Sequence, residues 1–399
     1  MSTHPRPPVR HIALACYPVA IPWMAMLTQG VTDYAAEHGG WSLTVSPPSL
    51  GSAAEEPLTL QSLRGWPGDG VIAAIASEAD LRAAMRLGKP VVNIAAVLSE
   101  MDLPCVTPDH QAMGRLAAQH LLDCGLRRLA YLGIEGLWYS QQRQRGFAEL
   151  ADKAGVPCET LEIPRNIAAA HSWREQIAPL GRWLKTLRTP VGLLAVHDYR
   201  ARAVVDECRR LGLDVPHDVA VLGIDNDLTV CEFSRPTLTS VSRDPRRQGY
   251  VAAQLLDDLM AGRPVFQRKI LTPPQGVVAR QSTDTVVVEN VHVAAAAHFI
   301  HDHLDEPFGV DRVVQATAIS RRQLEIHFRR VLGCTVYDYL CRQRCRRATQ
   351  LLADKNRVKF RTLARTCGFS SVEHLRLVFR RQMGVTPQQY RKTALAKTL

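Results

Sequence analysis

The sequence predicts two α/β lobes built on parallel sheets, followed by an all-helical unit. Three observations support this. Up to about residue 280, short β-rich runs alternate with helical patterns, the mark of parallel strands joined by crossover helices. There are too many such units for one compact open sheet, so they divide between two lobes. Beyond residue 291 the pattern is helical and carries an internal repeat, and the positive charge gathers there. Asn290–Leu399 holds 20 Lys and Arg against 8 Asp and Glu, while the rest of the chain holds 29 against 30.

The elements follow in order. His11–Ala15 reads as a strand, Met24–His38 as a helix and Trp41–Ser46 as a strand. Gly70–Ala74 and Pro90–Ile94 are strands flanking a helix at Glu78–Leu87. Gln111–Cys124 is a helix that stops before Gly125, Arg128–Gly133 a strand, and Gln141–Ala154 a helix closed by Gly155. Strand Val191–Val196 leads to helix Ala201–Leu211, closed by Gly212. Strand Val219–Ile224 and helix Arg246–Met260 complete the series. The pattern fails between Arg280 and Val291. This sets the boundaries: a tail at 1–10, two lobes over 11–280, a linker at 281–291 and a helical domain at 292–392.

Several classes are disfavoured. The ten cysteines are scattered, with no C-x-x-C pair and no His or acidic group spaced to complete a metal site. They read as reduced thiols of a cytoplasmic chain. The apolar stretch Ile12–Leu27 is broken by Pro18 and Pro22 and is too short to span a membrane. No phosphate-binding G-x-x-x-x-G-K and no G-x-S-x-G is present. No enzyme, metal or cofactor is therefore expected.

The repeat carries the strongest functional signal. Leu324, Phe328, Arg329, Arg330, Gly333, Thr335 and Tyr339 recur 51 positions later as Leu375, Phe379, Arg380, Arg381, Gly384, Thr386 and Tyr390. In the first copy, a short helix at Val310–Ala316 is followed by a turn. Ser320 is then placed to cap a helix that stops at Gly333. This is a helix-turn-helix over 310–333, with a second over 361–384. Such motifs set the start of their second helix against base edges in the major groove. Ser320, Arg321, Arg322, Gln323 and Glu325 fall there in the first copy, and Ser371, Val372, Glu373, His374 and Arg376 in the second. Arg329 and Arg380, deeper along each helix, suit phosphates. The run Arg342, Arg344, Arg346 and Arg347 between the copies could meet phosphate or simply be solvated. Duplex DNA is the expected partner. The duplicated F-R-R-x-x-G-x-T, the Gly368-Phe369 turn and the ending Thr386-Pro387-Gln388-Gln389-Tyr390-Arg391 resemble the AraC-type DNA-binding domain. Leu375 stands where that family usually has an aromatic residue.

In the first two-thirds, polar residues sit where open α/β sheets put ligands, at the carboxyl ends of parallel strands. Asp198 and Asp225 end two such strands, and Arg143 precedes Gly146-Phe147. Carboxylates there can accept hydrogen bonds from sugar hydroxyls, although Asp at a strand end also commonly caps a helix. Val106-Thr107-Pro108-Asp109, Arg143 with Gly146-Phe147, the run Asp218–Asp225 and Pro236–Val241 followed by Gly249 resemble the effector domain of lac-repressor and gal-repressor proteins. That resemblance implies a bilobed periplasmic-binding-protein-like fold with a sugar between the lobes. It assigns Arg143, His197, Asp198, Asp225 and Asn226 to the ligand, and Asp109 to helix capping. Tyr17 and Trp23 could stack on an apolar sugar face, with core the better reading for Trp23. The sensor joined to a carboxyl-terminal AraC-type reader resembles regulators of sugar operons. The implied effector is a pentose such as D-xylose, and the implied assembly a homodimer that activates transcription through RNA polymerase. Where those regulators carry acidic residues after Val71-Ile72-Ala73, this chain has Ala74-Ile75-Ala76, so its first-lobe pocket differs. A nucleoside in the same architecture is the alternative effector.

Overall fold

A computed structural model describes residues 9–16, 22–45, 58–99, 102–164, 173–284, 290–353 and 358–396. The chain divides into two compact units, Met1–Thr285 and Val286–Leu399.

The first unit holds two six-stranded sheets. One comprises β1 (Arg10–Ala15), β2 (Trp41–Val45), β3 (Gly70–Ala73), β4 (Val91–Asn93), β5 (Cys105–Pro108) and β11 (Lys269–Thr272). Its order is β11-β5-β4-β3-β1-β2, parallel throughout. The other comprises β6 (Leu129–Ile134), β7 (Cys158–Ile163), β8 (Val191–Ala195), β9 (Val219–Asp225), β10 (Thr239–Ser242) and β12 (Gly276–Val278). Its order is β12-β10-β9-β8-β6-β7, with only the edge strand β12 antiparallel. Every residue of β6 and β8 is buried, as expected of parallel strands covered on both faces.

Each lobe is covered by one closely packed helix pair. α1 (Pro22–His38) and α8 (Pro245–Met260) lie on the first lobe, α3 (His110–Asp123) and α4 (Trp138–Lys153) on the second. Both contacts depend on glycine. A Cβ on Gly249 would overlap the carbonyl oxygen of Leu27, and one on Gly146 that of Gln111. Among the described residues, the chain passes between lobes at three places: from β5 into α3, from β10 into α8, and from β11 into β12.

Several elements escaped the sequence pattern: β5, β7, β10, β11, β12 and helix α5 (Trp173–Leu184). The strands are short or partly exposed at sheet edges, and Pro179 lies inside α5. Two boundaries also shift. Arg10 opens β1 instead of closing a tail. The linker expected to begin at 281 begins later, because Gln281–Thr283 form a 3-10 turn anchored in the second lobe. There the Ser282 hydroxyl donates to the Val221 carbonyl at 2.6 Å, and the Thr283 hydroxyl meets that of Thr239 at 2.8 Å.

The second unit contains α9 (Val291–Asp302), α10 (Val310–Gln315), α11 (Arg321–Leu332), α12 (Val336–Ala353), α13 (Phe360–Thr366), α14 (Val372–Met383) and α15 (Pro387–Ala396). α10–α11 and α13–α14 are the two helix-turn-helix units. Phe328 centres one core and Phe379 the other, and both rings are fully buried. α12 joins them: Val336 and Leu340 enter the first core, Cys341, Cys345 and Ala348 the second. Two further contacts lock the halves. Gly368, at φ +66°, turns so close to the carbonyls of Leu304 and Glu306 that a Cβ would sit 2.6 Å from each. Arg344 is buried and donates to the Glu306 and Phe308 carbonyls at 3.1 and 3.0 Å, with its guanidinium over the Phe308 ring. Of the two roles weighed for Arg344, phosphate contact and plain solvation, the structure supports neither. The side chain of Arg346 lies outside the described residues.

Candidate functional site

The two lobes enclose a cleft of about 590 Å³. Its second-lobe wall is polar and includes Arg143, His197, Asp198, Asp225, Asn226 and Thr229. Its first-lobe wall is mainly apolar, made by Pro22, Trp23, Met26 and the run Ile94–Val97. The sequence brought five of six expected ligand residues to one place. The sixth, Tyr17, lies outside the described residues.

The strand ends fix these groups. Asp225 closes β9 at φ +116° and Asn226 follows at φ +53°. Non-glycine residues rarely adopt such angles, and strain of this kind concentrates at functional positions. Arg143 projects from α4 and is almost fully buried. Its Nε donates to His110 Nδ1 at 3.3 Å, Nη1 donates to the Val196 carbonyl, and Nη2 lies 3.6 Å from Asp225 Oδ1. Arg243, just beyond β10, brings Nε to 3.2 Å from the same carboxylate oxygen and lays its guanidinium 4.5 Å above the Trp23 ring. Asp225 is therefore held between two guanidinium groups.

Neither approach is a hydrogen bond: that of Arg143 is too long and that of Arg243 lacks the direction. Among the described residues, Asp225 Oδ1, Arg243 Nε and His110 Nε2 are enclosed polar atoms without a hydrogen-bond partner. Enclosed polar atoms normally find partners, so three of them on side chains that line one cleft mark its wall as under-satisfied. Burial sets the protonation. It pulls His197 down to about 4 and His110 well below the ordinary imidazole value, the latter with help from Arg143. Both rings are neutral at pH 7, and because each Nδ1 already accepts, from Arg143 Nε in His110 and from the Arg200 amide in His197, each Nε2 carries the proton and is left as a donor. Burial, then the Asp225 charge, pushes Asp198 up to about 7.

Two expected ligand residues are largely committed elsewhere. Asp198 accepts from the Ser240 hydroxyl at 2.6 Å and the Asp227 amide at 2.8 Å, so it ties β8, β9 and β10 together. His197 caps α6 (Asp198–Leu211) by accepting from the Arg200 amide. Asn226 donates its backbone amide to the Ser240 hydroxyl at 2.9 Å, and its side-chain oxygen accepts from Arg280 at 2.9 Å. Asp109 caps α3, as the sequence implied. The sequence reading missed His110, Arg243 and Gln275, which all lie in the crossings between lobes and line the cleft. Arg243 directly follows the carboxyl end of β10 and His110 lies two residues past that of β5, so the strand-end rule would have found them had those strands been recognised.

On the second unit, Arg322 and Arg329 of α11 and Glu373, Arg376 and Arg380 of α14 are exposed along the outward helix faces. Other expected readers differ. Ser320 and Gln323 form a capping box, so the Gln323 side chain folds back on the helix start. Arg321 is exposed but pairs with Asp311 at 2.8 Å. Glu325 is half-buried, with Oε2 enclosed and, among the described residues, without a hydrogen-bond partner. Val372 packs against the second core, and Ser371 caps α14 by accepting from the His374 amide. The His374 ring meets Ser370 at 3.0 Å and stands edge-on to Phe369.

Comparison with known proteins agrees with this architecture. Residues 13–172 match the model of periplasmic binding proteins and the sugar-binding domain of the LacI family. Residues 118–283 match a periplasmic binding protein-like domain, and residues 313–393 a helix-turn-helix domain. The xylose operon regulatory protein of Escherichia coli K12 is 30% identical over 342 residues, which is 83% of this chain and 86% of that protein. The chain belongs to the xylose operon regulatory protein family. The Haemophilus influenzae member is 29% identical over 81% of this chain and 84% of its own length. The solved structure of a xylose-binding transcription activator is similar over 96% of this chain and 98% of that one, with TM-score 0.71 and 27% identity. As a member of this family, the chain is a DNA-binding, sugar-responsive transcription regulator. Among the described residues, no helix is long and apolar enough to cross a membrane, and no cluster of His, Cys, Asp or Glu could hold a metal ion.

Proposed function

We propose that this regulator senses a pentose, D-xylose first, in the interlobe cleft, and converts occupancy into activation of transcription. The carrying observation is the strained, partly exposed Asp225 on the cleft wall, flanked by Arg143 and Arg243. Asp225 accepts a sugar hydroxyl, and Arg243, Arg143 and the neutral rings of His110 and His197 donate. Trp23 supports an apolar sugar face. Asp198 acts from behind by holding Ser240 and Asp227. The names of the xylose relatives support the choice of sugar.

In the same reading the sugar is bound without turnover, and the protein works in the cytoplasm as a homodimer. Occupancy biases the lobes toward one arrangement and shifts DNA affinity by about 1–3 kcal/mol, the usual size of such coupling. Arg322 and Arg376 read base edges, Arg329 and Arg380 hold phosphates, and the DNA-bound regulator engages RNA polymerase.

The test is thermal melting of the full chain against pentoses, hexoses and nucleosides. A ligand that binds only the folded state raises the midpoint. A rise with D-xylose that disappears in Asp225→Ala supports the assignment. A rise with a nucleoside and none with any sugar replaces the effector but keeps the regulator. Sugar consumed during incubation would overturn binding without turnover.

A further inference from the structure

The two reading helices share an exposed apolar residue at the same register. Ile326 lies two positions after the inward Leu324 on α11, and Leu377 two after the inward Leu375 on α14. The pairs are displaced by the same 51 positions as the rest of the repeat. At 100° per residue, a step of two from an inward side chain points to the opposite face. Ile326 is 53% exposed and Leu377 72%.

A single exposed leucine needs no explanation. Two at matched positions, each centred on the outward face of a helix rich in arginine, do. Arg322 precedes Ile326 by one turn, and Arg380 follows Leu377 by about one. A face that only neutralised phosphates would gain nothing from an apolar centre. Major-groove edges carry one apolar feature, the thymine 5-methyl group.

We propose that Ile326 and Leu377 each pack on a thymine methyl and set a thymine preference at one position in each of two subsites. This rests on the two helices being DNA readers. The two thymines lie about one helical turn apart, because readers on one face of the duplex recur at that spacing.

The experiment has two parts, both with the full chain and D-xylose present. Sequences are first selected from a randomised duplex by the native protein, by Ile326→Ala and by Leu377→Ala. Each variant is expected to lose thymine enrichment at one position and keep the remaining pattern. In the selected duplex each such thymine is then replaced by uracil, which has the same hydrogen-bonding groups and lacks the methyl. Native affinity is expected to fall about fourfold per site, the worth of burying one methyl-sized group, while the matching alanine variant is indifferent. Unchanged native affinity for the uracil duplex overturns the proposal, as does thymine preference retained in both variants. The uracil comparison uses native protein, so it decides even where a variant fails to bind. Failure of the DNA-reader reading itself would look different, with no sequence enriched by the native protein.

Discussion

Arginine does opposite work in the two units. In the sensor, Arg143 and Arg243 are withdrawn from solvent and arranged around one carboxylate. In the reader, Arg322, Arg329, Arg376 and Arg380 stand in water on helix surfaces. A buried guanidinium needs partners to offset its desolvation, so it is fixed in direction and suits recognition of one small ligand. An exposed guanidinium has little fixed geometry and is strongly screened, so it suits a long polyanion met at many points. Arg344 breaks the division: it belongs to the reader, yet it is buried like the sensor arginines.

The largest effect should come from that exception. Arg344→Ala strands two loop carbonyls and loosens the contact between the helix-turn-helix halves. A loss of roughly 3 kcal/mol is expected from broken charge-assisted bonds and lost packing. Calorimetry should show the reader melting earlier, with DNA binding lost and the D-xylose shift of the sensor transition kept. Intact DNA binding would mean that Arg344 does not hold the readers in register. Asp225→Asn comes next. It keeps the shape of the side chain and removes the charge between Arg143 and Arg243. Sugar affinity should fall about 100-fold by calorimetric titration, near the 3 kcal/mol cost of unpairing a buried charge. A change below threefold would shift the weight of recognition to the arginines.

The reader was more legible in the sequence than the cleft, and the reason is physical. A helix-turn-helix is local, so its cap, its inward pair and its Gly stop lie within two dozen residues. Duplication then printed the signal twice, down to a serine cap on each second helix, Ser320 in the first copy and, of the neighbours Ser370 and Ser371, Ser371 in the second. The cleft is assembled from strand ends far apart in the chain. Asp198 and Asp225 follow strands long enough to recognise, whereas His110 and Arg243 follow four-residue strands with no visible period. What the sequence could not display was commitment. Nothing local shows that both oxygens of Asp198 are already engaged, or that Gln323 turns back to its own helix start. Those facts depend on neighbours 42 and 29 residues away in the first case, and on a rotamer choice in the second.

Asp198 gives a smaller effect that separates the units by pH. Burial and Asp225 raise its folded value to about 7, well above the unfolded value of roughly 3.9. The folded state then holds a proton that the unfolded state has released between these values. This contribution is fully present below about pH 4 and is lost as pH rises through about 7. The neutral His197 contributes with the opposite sign between about 4 and the ordinary imidazole value. The wild-type curve alone is therefore ambiguous. Asp198→Asn removes one contribution and leaves the other. Urea unfolding of the sensor transition should show the variant gaining on the native protein as pH rises from 4 to 7. A constant difference would mean that Asp198 is ionised throughout, held by the Ser240 and Asp227 hydrogen bonds.

The smallest effects should be those of the exposed arginines, and they test whether the reader surface is divided by depth along the helix. Each phosphate neutralised contributes about 0.9 to the slope of log affinity against log salt. If Arg329 sits on a phosphate, Arg329→Ala should reduce that slope by about one and weaken all sequences alike. If Arg322 reads a base edge, Arg322→Ala should change the slope less and instead relax preference at one base pair, by about 1–3 kcal/mol for a bidentate contact. Both side chains are exposed and one helix carries both, so composition and burial predict the same behaviour for each. Only position along α11 separates them. Equal slope changes with unchanged preference would make the whole face a phosphate grip, and sequence reading would then have to lie elsewhere on the helix.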